Sequence, residues 1–114
     1  MAPEDFRCEV VKARDDEFRN KVTTVVCHGK LVSGQASNEI KEVIRPLIPE
    51  GGRIVVDLAD VSYLDSSGLG ALVTLKVSAI KRGYCILEFV EMTPRVMELL
   101  RISNLAQMLS AKAR

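Results

Sequence analysis

The stretch from Arg53 to Lys76 does most to limit what this chain can fold into. An apolar strand, Arg53-Ile54-Val55-Val56-Asp57-Leu58, leads through Val61-Ser62-Tyr63-Leu64 to the turn Asp65-Ser66-Ser67-Gly68-Leu69-Gly70. An apolar helix then leaves through Ala71-Leu72-Val73-Thr74-Leu75-Lys76. A strand this continuously apolar is covered on both faces, as parallel strands are. A covered strand passing straight into a helix is the unit of an α/β sheet. The turn sets two hydroxyls and a carboxylate at a helix N-terminus. Backbone N–H groups are unpaired there, and the dipole places about half a positive charge. Such an end can hold an anion such as phosphate.

The flanking sequence extends the pattern. Phe6-Arg7-Cys8-Glu9-Val10 alternates with period two, and Val22-Thr23-Thr24-Val25-Val26-Cys27 is β-branched; both read as strands. The polar stretch Arg14–Lys21 between them predicts a long hairpin loop and antiparallel pairing. Ser33 or Ser37 is expected to cap a helix whose apolar stripe is Ala36, Ile40, Val43, Ile44 and Leu47, ended or kinked by Pro46. Pro49-Glu50-Gly51-Gly52 reads as a loop. The junction helix runs to about Lys81, with Gly83 as its left-handed C-cap. Cys85-Ile86-Leu87-Glu88-Phe89-Val90 is the next strand. Thr93 caps a last helix with Pro94 at its first position and Val96, Leu99 and Leu100 on its core face. Leu105, Met108 and Leu109 are expected to fold back on the core, and the ends, about 1–4 and 110–114, to fray. The fold class is therefore α/β, with residues 1–114 forming one domain: a mixed, mostly parallel sheet of about four strands with packed helices.

Composition narrows the function classes. The net charge of +1 is no basic nucleic-acid surface, and no apolar run approaches the length of a membrane span. The start, Met1-Ala2-Pro3-Glu4-Asp5, lacks a signal peptide's basic and apolar regions, which points to a cytoplasmic protein. Cys8, Cys27 and Cys85 have neither metal nor disulfide-framework spacing and read as small buried side chains.

The serines do not fit a hydrolase elbow, which needs G-x-S-x-G. The single histidine, His28, reads as a strand-end residue, and nothing in the sequence sets it beside them. Gly68-Leu69-Gly70 lacks the lysine of a Walker loop, and Val73 stands where a dinucleotide fingerprint needs glycine. Asp57, Asp60 and Asp65 lack EF-hand spacing. Asp57 reads as a strand-end residue and Asp65 as a turn or capping residue. No catalytic residue, metal site or cofactor is expected.

On a helical wheel, Leu69, Leu72, Val73, Leu75, Val77, Ala79 and Ile80 fall on a wide apolar side. Lys76 falls among them, its charge expected to snorkel outward. Ser67, Gly70, Ala71, Thr74, Ser78 and Lys81 fall opposite. A face this poor in long charged side chains lets another surface approach closely. Gly70, Ala71, Thr74 and Ser78 are therefore the expected partner-binding residues.

The hexamer Asp65-Ser66-Ser67-Gly68-Leu69-Gly70, with the strand before it, resembles the signature of the STAS domain, and more narrowly of bacterial anti-sigma factor antagonists. The resemblance continues through the Cys85–Val90 strand, Thr93-Pro94-Arg95-Val96 and Leu100-Arg101-Ile102-Ser103-Asn104-Leu105. It implies phosphorylation of Ser66, with Ser67 as the competing acceptor and Asp65, Ser67 and Gly68 surrounding the phosphate. The implied partners are an anti-sigma factor with serine kinase activity and a serine phosphatase. Unphosphorylated antagonist would bind the kinase and free a sigma factor, without being an enzyme, binding nucleic acid or entering a membrane. The other role the family implies is a STAS subunit or scaffold of a lipid or anion transporter, or of a signalling assembly, without phospho-switching. Two positions depart from the family: Val32 replaces a residue that is often polar or acidic, and Asn104 stands where glycine is common.

Overall fold

The protein is described by a computed structural model covering residues 6–15 and 21–113. Its strands are β1 (Arg7–Asp15), β2 (Lys21–Leu31), β3 (Gly52–Leu64), β4 (Cys85–Met92) and β5 (Ala111–Ala113). Its helices are α1 (Ser33–Ile44), α2 (Ser66–Arg82) and α3 (Pro94–Ile102), with a 3-10 helix over Arg45–Glu50. The result is a single α/β domain with one five-stranded sheet in the order β1-β2-β3-β4-β5. The β1–β2 pair is antiparallel, and the other three neighbouring pairs are parallel.

Each crossover helix packs on the sheet because its apolar stripe and the strands' alternation meet on one face. Thr23, Val25 and Cys27 of β2 are buried, as are Ile54, Val56 and Leu58 of β3 and Cys85, Leu87 and Phe89 of β4. α1 lies against β1 and β2, α2 against β3 and β4, and the two helices pack on each other. Ala36, Ile40 and Ile44 of α1 and Leu72, Leu75 and Ala79 of α2 complete this core. α3 packs against β3 and β5 through buried Val96 and Leu100. No helix among the described residues is long and apolar enough to cross a membrane.

Several boundaries differ from the sequence expectation. Arg14 and Asp15 belong to β1 and Lys21 to β2, so both strands run into the expected loop; its remainder lies outside the described residues. Pro49 and Glu50 end the 3-10 helix, and Gly52 already belongs to β3. Asp57 is not at a strand end: β3 continues to Leu64, and Asp57 Oδ1 accepts from the Ala59 N–H at 2.9 Å. Neither Ser33 nor Ser37 caps α1. The cap position is Val32, and the Ser37 hydroxyl donates to the Ser33 carbonyl at 3.0 Å.

The larger correction is at the C-terminus. The segment expected to fray supplies a fifth strand. Leu105 and Met108 pack against the core, Leu109 is fully buried, and Ala111–Ala113 pair with β4. Two side-chain bonds fasten this strand. Lys112 Nζ lies 3.2 Å from Glu88 Oε2, and Lys76 Nζ donates to Ser110 Oγ at 2.9 Å. Lys76 does not snorkel: it is buried, and it also donates to the Leu87 carbonyl at 2.6 Å. Loss of hydration lowers its pKa, against the opposing pull of Glu88.

Candidate functional site: the β3–α2 junction

The turn between β3 and α2 is set by Asp65. Buried Leu64 ends the strand, and the Asp65 N–H donates to the Leu31 carbonyl at 3.3 Å, holding the turn to the end of β2. Asp65 is extended (φ −106°, ψ −170°), and its Oδ1 accepts from the Gly68 N–H at 2.9 Å. This is an N-cap, which satisfies one of the unpaired donors of α2. Its other oxygen, Oδ2, accepts from the Ser33 N–H at 3.1 Å, at the start of α1. One carboxylate therefore serves two helix N-termini, and Val32 makes no side-chain cap bond of its own. The two N–H donors, Gly68 first and Ser33 next, hold the Asp65 carboxyl below its ordinary pKa. Ser33 has a positive φ of 72°, rare for a residue with a side chain. The bonds through its N–H and carbonyl hold it there.

Ser66 and Ser67 open α2 and are exposed. Gly68 is buried beneath them for a steric reason. A Cβ there would lie 2.1 Å from the Leu31 carbonyl oxygen, so only glycine lets the helix start this close to β2. Gly70 is different. It is exposed, and an added Cβ would meet nothing within 4 Å. The fold gives no packing reason for glycine at that position.

The free face of α2 differs from the one expected. Ser66, Ser67, Gly70 and Thr74 are exposed and Ser78 is half-buried. Ala71 is not on that face: it is buried, within the hydrophobic core. Val77 and Ile80, expected in the core, are 36% and 58% exposed. The stripe thus runs Ser66, Gly70, Thr74, Val77, Lys81, small at its start and apolar further on.

The other candidates lie elsewhere. His28 is inside β2, with Nδ1 2.6 Å from Asp60 Oδ2 of β3 and Nε2 3.9 Å from Glu9 Oε1 of β1. Cys8 and Cys27 are register partners across β1 and β2, both buried and unbridged. Contact with Cys8 and burial push the Cys27 thiol pKa upward. No group of three or more metal-ligating side chains occurs among the described residues. Sequence reading missed two cations near the junction end of the sheet, Lys30 and Arg95. They share a cleft with Ser62 and Tyr63. No sequence spacing pairs them, because they come from β2 and α3.

Comparison with known proteins is consistent with this geometry. A family model described as "Mlab, STAS domain" matches residues 16–110. Comparison with proteins of curated function finds no match. Among solved structures, an anti-sigma factor antagonist from Mycobacterium paratuberculosis is similar, with a TM-score of 0.75 and 18% identity over 99% of this chain and 90% of that one. The Bacillus cell fate determinant SpoIIAA in its phosphorylated form gives a TM-score of 0.63 and 18% identity over 96% of this chain and 92% of that one. The murine anion transporter Slc26a9 gives 0.65 and 17% over 95% of this chain but only 20% of the transporter. At these identities the likeness is one of fold.

Proposed function

The chain belongs to the STAS domain family, and from that premise we propose that it acts as an anti-sigma factor antagonist whose partner binding is switched by phosphorylation of Ser66. One observation carries the reading. Ser66 is an exposed hydroxyl at the first position of α2, at the head of a stripe with almost no long charged side chains. A kinase can reach it, and a partner seated on Gly70, Thr74 and Val77 would feel what is attached to it. The proposed partners are an anti-sigma factor with serine kinase activity, which docks on this stripe, and a serine phosphatase that resets it. The antagonist itself works by binding, not catalysis, in the cytoplasm and without a cofactor.

The switch follows from charge. A phosphate adds about −1.5 to −2 charges at neutral pH. No lysine or arginine lies between Asp60 and Leu75 in the chain, neither Lys30 nor Arg95 shares its cleft with Ser66, and the Asp65 carboxylate is one residue away. The Gly68 N–H that would otherwise face the anion is already bonded to Asp65. A phosphate on Ser66 therefore projects into the interface, where desolvation and repulsion oppose binding. Ser67 is the competing acceptor, and its backbone N–H also points to Asp65.

The test is incubation with a kinase-type anti-sigma factor and ATP, followed by peptide mass spectrometry and affinity measurement. Phosphate is expected on Ser66, with affinity for the kinase lost. Ser66→Ala should bind without being modified, and Ser66→Asp should bind poorly. Phosphate on Ser67 alone, or phospho-Ser66 protein that keeps its partner, overturns the mechanism. The match to the Mlab model and the fold likeness to part of Slc26a9 favour a second reading, a STAS subunit or scaffold of a lipid or anion transporter. A transporter partner that binds Ser66→Ala and Ser66→Asp equally well would decide for it.

A further inference from the structure

The C-terminal ends of β2 and β3, with the start of α3, enclose a cleft of about 250 Å³ lined by Lys30, Ser62, Tyr63 and Arg95. We propose that this cleft binds a phosphate group, as the free ion or as a small phosphate monoester.

The lining carries two cations and two hydroxyls and no carboxylate. Neither Lys30 nor Arg95 makes an ion pair among the described residues, in contrast to Arg53, which lies 2.6 Å from Glu88. Two cations without counter-charges in one cleft attract an anion. The Arg95 guanidinium lies 4.9 Å from the centre of the Tyr63 ring, a cation–π contact that orients its planar fork. Such a fork suits the paired oxygens of phosphate, and the lysine adds a point charge.

Arg95 also stands in the first turn of α3, which contains no acidic residue to neutralise the positive end of the helix. The cleft lies at the C-terminal ends of parallel strands, where open α/β sheets place ligands. Its volume is below the roughly 300–1,000 Å³ of pockets that enclose a drug-sized ligand. It therefore suits a phosphate and its immediate ester rather than a large molecule. The site does not involve Ser66, and the proposal is independent of whether Ser66 is modified.

The experiment is an NMR titration of the full chain, comparing inorganic phosphate with glycerol 3-phosphate. Sodium chloride at matched ionic strength is the control. Both phosphates should shift the amides of Lys30, Ser62, Tyr63 and Arg95 along the same direction, and chloride should not. Equal affinity for the two would assign the site to the free ion, and tighter binding of glycerol 3-phosphate would assign it to the monoester. Arg95→Gln and Lys30→Gln should each weaken binding at least tenfold, with the remaining amide spectrum unchanged as evidence of folding. Ser62→Ala, a smaller change, should weaken it less. Shifts equal to those of chloride, shifts centred on Ser66–Gly68, or binding that survives both glutamine variants would each overturn the proposal.

Discussion

At the scale of the residue, the two glycines of the junction do different work. Gly68 is where α2 meets the Leu31 carbonyl, so Gly68→Ala should destabilise the domain by about 1–3 kcal/mol or prevent folding. Gly70 faces open space, so Gly70→Ala should stabilise by about 0.5–1 kcal/mol, because alanine is the better helix former. Urea denaturation of the two variants measures both. Asp65 has a pH signature. Its pKa is lowered in the folded state, so its contribution is complete above the ordinary value near 3.8 and is lost as pH falls through the lowered one. Asp65→Asn should melt at a lower temperature at neutral pH, and the two chains should converge as the solution is acidified. A gap that stays constant down to about pH 2 would show that the charge of the carboxylate is not what caps the helices.

At the scale of the element, α2 has one flank in the core and one exposed flank that the proposed function assigns to a partner, and substitutions should separate them. Ala71→Arg puts a cation into the packed core and should cost about 3 kcal/mol or more. Thr74→Arg lies on the exposed stripe and should change stability by no more than about 0.5 kcal/mol while weakening the partner complex. Thermal melts and a binding titration on the same samples check both halves. β5 shows how a three-residue strand is retained. Backbone pairing to β4 is joined by Lys112–Glu88 and by the Lys76–Ser110 hydrogen bond. Lys76→Ala should cost about 1–3 kcal/mol through the unpaired carbonyl it leaves. Hydrogen exchange should speed up at Ala111–Ala113 before the rest of the sheet. Uniform exchange across the sheet would mean that Lys76 does not hold the tail.

At the scale of the whole molecule, one packed core carries the exposed β3–α2 junction at its edge. Ser66 is exposed and outside the core, so phosphorylation should leave the melting cooperative and confine amide shifts to the start of α2 and the Leu31–Ser33 segment between β2 and α1 that Asp65 binds. Shifts spread through β1 or β4 would point to a conformational switch instead. Much of this arrangement is present in the chain order. The strand–helix alternation, the Gly83 cap, the Thr93-Pro94 helix start and the position of Ser66 all depend on residues within a few places of one another. The periodicities and capping rules act at that range. What needed the tertiary structure depends on contacts between distant segments. A helical wheel sets the angles between side chains but not which arc faces inward; in the packed domain Ala71 is buried and Val77 and Ile80 are left outside. The second bond of Asp65 crosses 32 residues to Ser33, and the cleft cations come from β2 and α3. The bonds at β5 reach from Ser110 and Lys112 to Lys76 and Glu88, far back in the chain. Local sequence determined which elements form and where the hydroxyl is offered. Packing decided which groups surround it, because burial and charge pairing are properties of neighbours in space.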